Sequence, residues 1–538
     1  MGRGRLVTLA AVTTAVVLVL AGAGTYWVLR TEGSPRQAAA DFLAAWQKND
    51  FPAMRRLSAG APADLATPYT QMNTALGVTA VQARPGAVRS GSPRKVPFTA
   101  GLTLRSGGTW TYQGELTLTD KGRRWRVAWT PAAVHPRLTP GRQLALSASW
   151  PARGHILAAD GSRIDGPGVS GSVQQLAGLL GPATDADARR LGPPYKKGDQ
   201  VGHGGLQQER ERQLAGVPGV AIRLVGGGGP AQDIGRIAGR SGTEVRTSLD
   251  PKVQSAAAKA ITSQKKPAAL VALRPSTGEI LAAANQPGGF SRALLGRYPP
   301  GSTFKVVTSA ALLSAGLRPS DRVTCTKTAT IGGRSFRNFE GEEFGALDFL
   351  TAFAHSCNTV FATETTRRLK AAQLVKTARD FGFGLPLTPG VPAARGAFPQ
   401  PKDEAEFAAA SFGQGRVLAS PLNMAAVAAA VKDGTWRPPM LVTGGPRPAG
   451  RPLDATVTAG LRPMMAAVVS KGTAKDAGLP AGTAGKTGTA EFGGGAKPPT
   501  HAWFIGYRGD LAFAVIIEAG GTGGSAAAPL AATFLRAL

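Results

Sequence analysis

Tyr298-Pro299-Pro300-Gly301-Ser302-Thr303-Phe304-Lys305-Val306-Val307 places a hydroxyl and an amine one helical turn apart. Two prolines and a glycine oppose helix up to Gly301. The apolar run that follows, through Phe304, Val306, Val307, Ala310, Ala311, Leu312 and Leu313, predicts a buried helix beginning near Ser302. Residues three apart share a helix face, so Lys305 can reach the Ser302 hydroxyl. A lysine held among apolar groups beside another cation loses basicity, and its neutral form can take the serine proton. The stretch therefore predicts an activated serine nucleophile.

Ser-x-x-Lys also occurs at Ser92-Pro93-Arg94-Lys95 and Ser263-Gln264-Lys265-Lys266, one in strand-like sequence and one in a polar helix tail, and neither has partners downstream. Ser302 has two: Ser356-Cys357-Asn358, then Lys486-Thr487-Gly488-Thr489. This ordered set resembles the one shared by penicillin-binding proteins and class A β-lactamases, and the chain resembles a class B penicillin-binding protein with a resistance-type N-terminal extension. The resemblance implies a peptidoglycan D,D-transpeptidase that cross-links stem peptides through a serine acyl-enzyme and is inhibited covalently by β-lactams. On matching positions it implies that Ser302 attacks the D-alanyl-D-alanine carbonyl, Lys305 takes its proton, and Ser356 relays a proton to the leaving D-alanine. Asn358 would hold Lys305 and the substrate amide, Lys486 and Thr487 would meet the substrate carboxylate, and Gly488 would let substrate lie against its strand. The backbone N–H groups of Ser302 and Thr489 would form the oxyanion hole. No cofactor and no metal are expected.

A chain of 538 residues suggests about three or four domains. Leu6 to Leu29 carries no charged residue and follows Arg3 and Arg5, with Tyr26 and Trp27 near its far end; it is long enough for an uncleaved anchor with the rest of the chain outside the cytoplasm. Ala21-Gly22-Ala23 leaves a cleaved signal peptide as the competitor. The formal net charge of +29 is scattered rather than gathered into an aromatic-interleaved stripe, which fits anionic lipid and wall polymers and argues against nucleic acid. His135, His155, His203, His355 and His501 lie far apart without metal-ligand spacing, and His355 reads as structural. Cys325 and Cys357, the two cysteines, permit a disulfide outside the cytoplasm without requiring one.

In chain order, residues 1–30 read as cytoplasmic stub and transmembrane anchor. Residues 31–131 read as a cone-like α+β spacer, with an amphipathic helix from Ser34 to Leu57 and period-two strands from Phe98 to Trp129. The tryptophans there read as core. Residues 132–244 contain Arg153-Gly154-His155-Ile156, similar to the start of the family's pedestal or dimerisation-type domain, followed by glycine-rich sequence that cannot be read further. Residues 245–538 read as the transpeptidase domain. The resemblance implies a mixed sheet sandwiched by helices plus an all-helical half holding the middle motif.

The expected partners are stem peptides ending in D-Ala-D-Ala, β-lactams, the membrane and wall-synthesis proteins. A non-catalytic scaffold or β-lactam sensor competes with the enzyme reading, but the motifs are intact. A class A β-lactamase would carry Glu-x-x-Leu-Asn, whereas Leu422-Asn423 follows Ala419 in the glutamate position. The Glu-Asp-x-x-Phe signature of a glycosyltransferase partner domain is missing from the residues before Val245.

Overall fold

The computed structural model of the chain describes residues 31–169, 171–495 and 497–538. The expected anchor lies outside the described residues, and no described helix is long and apolar enough to cross a membrane. The described residues form two compact units: one holds those up to Arg153 with Pro182–Asp199 and Ala215–Gly242, the other Gly154–Gly181, Gln200–Leu214 and Thr243–Leu538.

The first unit is built on a five-stranded sheet in the order Ser58–Ala59, Arg124–Ala128, Thr109–Lys121, Arg94–Leu104, Val78–Pro85. Its period-two pattern buries Val96, Phe98, Ala100, Leu102 and Leu104 on one strand and Trp110, Tyr112, Leu116 and Leu118 on the next. Phe42, Leu43 and Trp46 of the helix Pro35–Gln47 belong to the same core, where Trp46 meets Tyr69 and Phe98 edge-to-face. The single helix expected over Ser34–Leu57 is two, Pro35–Gln47 and Phe51–Arg56. Asn49 adopts φ 55° at the break, and the Asp50 carboxylate accepts from Ala53 N at 2.9 Å to start the second helix.

The single module expected over 132–244 is instead shared between the units. Arg142–Ser149, Gly219–Gly226 and Gln232–Ile237 form a three-stranded antiparallel sheet whose Leu144, Val220, Ile222 and Leu224 join the first unit's core. Ile156, Ile164, Val173, Leu176, Leu206 and Leu214 join the core of the second unit. Burial of these apolar side chains, and not sequence adjacency, decides the division.

The second unit carries a five-stranded sheet ordered Ile280–Gln286, Ala268–Leu273, Leu511–Ile517, Thr500–Arg508, Ala484–Glu491. The mixed sheet that was expected is antiparallel at every pairing. Two hairpins, turning at Pro275–Gly278 and at Arg508-Gly509-Asp510, fix the orientation of the pairings they join, because parallel strands need a long crossover. Every residue of Ala268–Leu273 is buried, so both faces of the sheet are covered. Pro251–Thr262 and Ala528–Arg536 pack against each other and on the sheet, as does Pro421–Asp433, which is buried from Pro421 to Val431. The half expected to be all-helical also holds two-stranded ladders, Arg322–Cys325 with Gly345–Asp348 and Thr328–Ile331 with Arg334–Arg337. In the second of these Gly332 and Gly333, both at positive φ, make the tight turn that helix would not permit.

Candidate active site

The serine stretch begins as a 3₁₀ turn, Gly301–Phe304, and continues as the α-helix Lys305–Ser314. Gly301 sits at φ 52°, and a Cβ on it would lie 2.9 Å from Ala490 Cβ and 3.0 Å from Thr489 O. Glycine alone lets this turn press against the strand Ala484–Glu491. From the other side Gly301 N donates to Gly413 O at 3.0 Å, and a Cβ on Gly413 would come within 2.2 Å of Gly301 O. The half-buried Ser302 is thus fixed by backbone on both sides. Phe304 stacks on Phe398 beneath it.

Lys305 is fully buried, and its Nζ donates to Ser356 O at 2.5 Å, Asn358 Oδ1 at 2.7 Å and Ser356 Oγ at 3.2 Å. Phe361 lies under the amine, 5.3 Å from Nζ to ring centroid. Burial pushes the amine well below the usual lysine range, the Lys486 ammonium adds to the shift, and the Glu342 carboxylate opposes it. Three acceptors suit an ammonium. A neutral amine keeps two protons and turns its lone pair to the one partner that can donate, the Ser356 hydroxyl.

Ser356 occupies the break between Phe349–Ala354 and Asn358–Arg368, at φ 61°. This left-handed conformation is costly for a residue with a Cβ, and here it turns both carbonyl and hydroxyl of Ser356 onto Lys305. Asn358 Nδ2 donates to Arg337 O at 3.0 Å, which points its Oδ1 at the amine. Between them Cys357 is bonded to Cys325, with S–S 2.08 Å. The buried Asn338 braces the same corner: its Nδ2 donates to Thr326 O and Glu342 O, both at 2.8 Å, and its Oδ1 accepts from Thr359 N at 3.1 Å. His355 packs on Phe344 with ring centroids 4.6 Å apart.

Lys486, also fully buried, donates to Thr487 O at 3.1 Å and stands over the Phe353 ring at 5.6 Å. Burial lowers its pKa to about 7. Thr487 Oγ1 lies 2.5 Å from Thr473 Oγ1. A Cβ on Gly488 would fall 2.9 Å from Thr303 Cγ2 and 3.0 Å from Pro300 O, so the strand and the nucleophile turn meet where only hydrogen fits. Thr489 Oγ1 accepts from Gly523 N at 3.4 Å. All eight sequence-predicted residues, Ser302, Lys305, Ser356, Asn358, Lys486, Thr487, Gly488 and Thr489, belong to the second unit, and the contacts described here link the three motifs. Thr473, Phe361 and Asn338 lie in no motif, and nothing in the sequence pattern marks them; Phe353 reads from the sequence only as one of the apolar residues framing Ser356-Cys357-Asn358. Among the described residues no group of His, Cys, Asp and Glu could hold a metal ion.

Residues 268–536 match the family described as penicillin binding protein transpeptidase domain, and residues 34–142 match the NTF2-like N-terminal transpeptidase domain. The chain is 33% identical to the peptidoglycan D,D-transpeptidase PbpA of Mycolicibacterium smegmatis over 363 residues, 55% of this chain and 73% of that protein. Among solved structures it is similar to Pseudomonas aeruginosa PBP2 in complex with WCK 5153, with TM-score 0.63 and 24% identity over 73% of this chain and 96% of the other. It is also similar to the imipenem acyl-enzyme complex of penicillin-binding protein A from M. tuberculosis, with TM-score 0.58 and 24% identity over 72% and 98% of the two chains.

Proposed function

The chain belongs to the penicillin-binding protein transpeptidase family, and from that premise we propose how its residues divide the work of a peptidoglycan D,D-transpeptidase. The enzyme cross-links stem peptides through a serine acyl-enzyme and is acylated by β-lactams. Neutral Lys305 takes the Ser302 proton as Ser302 Oγ bonds to the penultimate D-alanine carbonyl carbon. The oxyanion is held by the backbone N–H groups of Ser302 and Thr489. As the C–N bond breaks, the proton passes from Lys305 through Ser356 Oγ to the leaving D-alanine nitrogen. An acceptor amine then attacks the ester, loses its proton along the same route in reverse, and restores Ser302 as the new amide forms. Lys486 and Thr487 hold the donor's terminal carboxylate, Gly488 admits the peptide to the strand edge, and Asn358 keeps Lys305 in register.

The observation that carries this reading is the Lys305 amine, buried on an aromatic ring and bonded to both ends of the Ser-Cys-Asn motif. A β-lactamase would need a base for a deacylating water. Ala419, at the position where class A enzymes carry that glutamate, is fully buried and bonded through its backbone to Tyr298. We further propose that residues 6–29 anchor the chain in the cell membrane as a single span, with the catalytic unit outside and wall-synthesis proteins as its partners. Acyl transfer tests the reading: the purified chain should join a stem-peptide thiolester to an acceptor amine, and Ser302→Ala should abolish the product. Equal product from Ser302→Ala would refute it.

A further inference from the structure

A turn that no motif announces closes one side of the site. The helix Ala455–Ser470 gives way to Lys471-Gly472-Thr473-Ala474. A Cβ on Gly472 would come within 2.3 Å of Ala354 O, and Thr473 N donates to that same carbonyl at 3.1 Å. Lys471 Nζ adds a bond to Thr351 Oγ1 at 3.3 Å. The turn is therefore fastened to the end of Phe349–Ala354, two residues before Ser356. Thr473 reaches the Lys-Thr-Gly strand from this turn, its hydroxyl 2.5 Å from that of Thr487.

Two hydroxyls joined by one hydrogen bond hold two protons, of which one lies between them. The second O–H must find an acceptor elsewhere. In its charged form Lys486 cannot serve, because an ammonium only donates, and it already donates to Thr487 O. With Lys486 charged, the pair thus has one further O–H to donate beside a buried cation. The complement of that arrangement accepts hydrogen bonds and carries negative charge, as a carboxylate does.

We propose that Thr473 is a positioning residue for recognition of the donor's terminal carboxylate: by occupying one proton of the pair, it fixes where the remaining O–H points. The proposal rests on the transpeptidase reading and adds a residue and a selectivity to it. A β-lactam carboxylate takes the place of the D-alanine carboxylate, so benzylpenicillin and its methyl ester differ in the group that Thr473 would sense.

The test measures second-order acylation rates of Ser302 in the full chain with both compounds. Thr473→Val removes the hydroxyl and keeps the shape; Thr473→Ser keeps the hydroxyl. Thr473→Val should lower the benzylpenicillin rate about tenfold, as expected for one hydrogen bond to a charged group, while changing the ester rate less than twofold. Thr473→Ser should stay within about threefold of the unmodified chain for both. An equal fall for both compounds with Thr473→Val, a benzylpenicillin rate within threefold of the original, or failure of Thr473→Ser to restore the difference would overturn the proposal. If the unmodified chain is acylated by neither compound, the transpeptidase reading itself falls.

Discussion

In the proposed mechanism two buried lysines, Lys305 and Lys486, set the chemistry. Lys305 must be neutral to take a proton, and its depressed pKa supplies that form well below the pH at which an ordinary lysine would. Lys486 must be charged to meet a carboxylate, and it loses its charge as pH rises through about 7. Acylation by benzylpenicillin under second-order conditions should therefore rise with pH as Lys305 deprotonates and fall again as Lys486 does. Lys486→Met removes the repulsion that helps depress Lys305, so the Lys305 pKa rises and the ascending limb should move to higher pH, with the descending limb lost. Stopped-flow pH profiles of the two chains check both signs; an ascending limb that stays in place would mean that Lys486 does not bear on Lys305. The motifs themselves were legible because each is a short pattern of chemically distinctive residues. The left-handed turn at Ser356 was not, since serine is no signal for positive φ and the flanking Phe349, Phe353 and Val360 read as continuous helix.

Two junctions between elements hold the site. At the first, the nucleophile turn meets the strand Ala484–Glu491 at Gly301. Gly301→Ala combines a left-handed backbone with a Cβ 3.0 Å from Thr489 O, so the turn must withdraw from the strand. Acylation should fall by at least about 10²-fold, in line with the sensitivity of reacting groups to ångström displacements. A rate within tenfold of the original would show that the junction is soft. At the second, the Cys325–Cys357 disulfide closes 32 residues around the ladders and Asn338. In the chain-entropy account a loop of that size contributes about 3–4 kcal/mol, and Cys325→Ser with Cys357→Ser should lower the melting temperature of the second unit. An unchanged transition by calorimetry would count against it. The central strands Ala268–Leu273 and Leu511–Ile517 are apolar runs bounded by turn residues, a pattern that leaves the sequence few alternatives.

Over the whole molecule the chain passes between the two units five times, at 153/154, 181/182, 199/200, 214/215 and 242/243. This is why 132–244 could not be read: its strand Arg142–Ser149 is separated from Gly219–Gly226 and Gln232–Ile237 by segments that fold into the other unit, and the partners that bury their apolar residues come from distant sequence. A fragment of 245–538 lacks Ile156, Val173, Leu206 and Leu214, which belong to its unit's core. It should melt lower than the intact chain's second unit and bind a hydrophobic dye, as exposed core surface does. A fragment that melts at the same temperature without dye binding would show that the interleaved segments add nothing to that core.

The central claim is that Ser302, activated by Lys305, forms a lasting acyl-enzyme. Intact-protein mass spectrometry after mixing the full chain with benzylpenicillin addresses it directly. The account predicts one penicilloyl adduct that maps to Ser302 and persists for minutes or longer, since Ala419 stands where class A enzymes carry the base for hydrolysis and one general base is worth about 10²–10⁴ in rate. Lys305→Ala should form the same adduct slower by a similar factor, and Ser302→Ala should form none. Rapid catalytic turnover of the drug, or an unchanged adduct on Ser302→Ala, would contradict it.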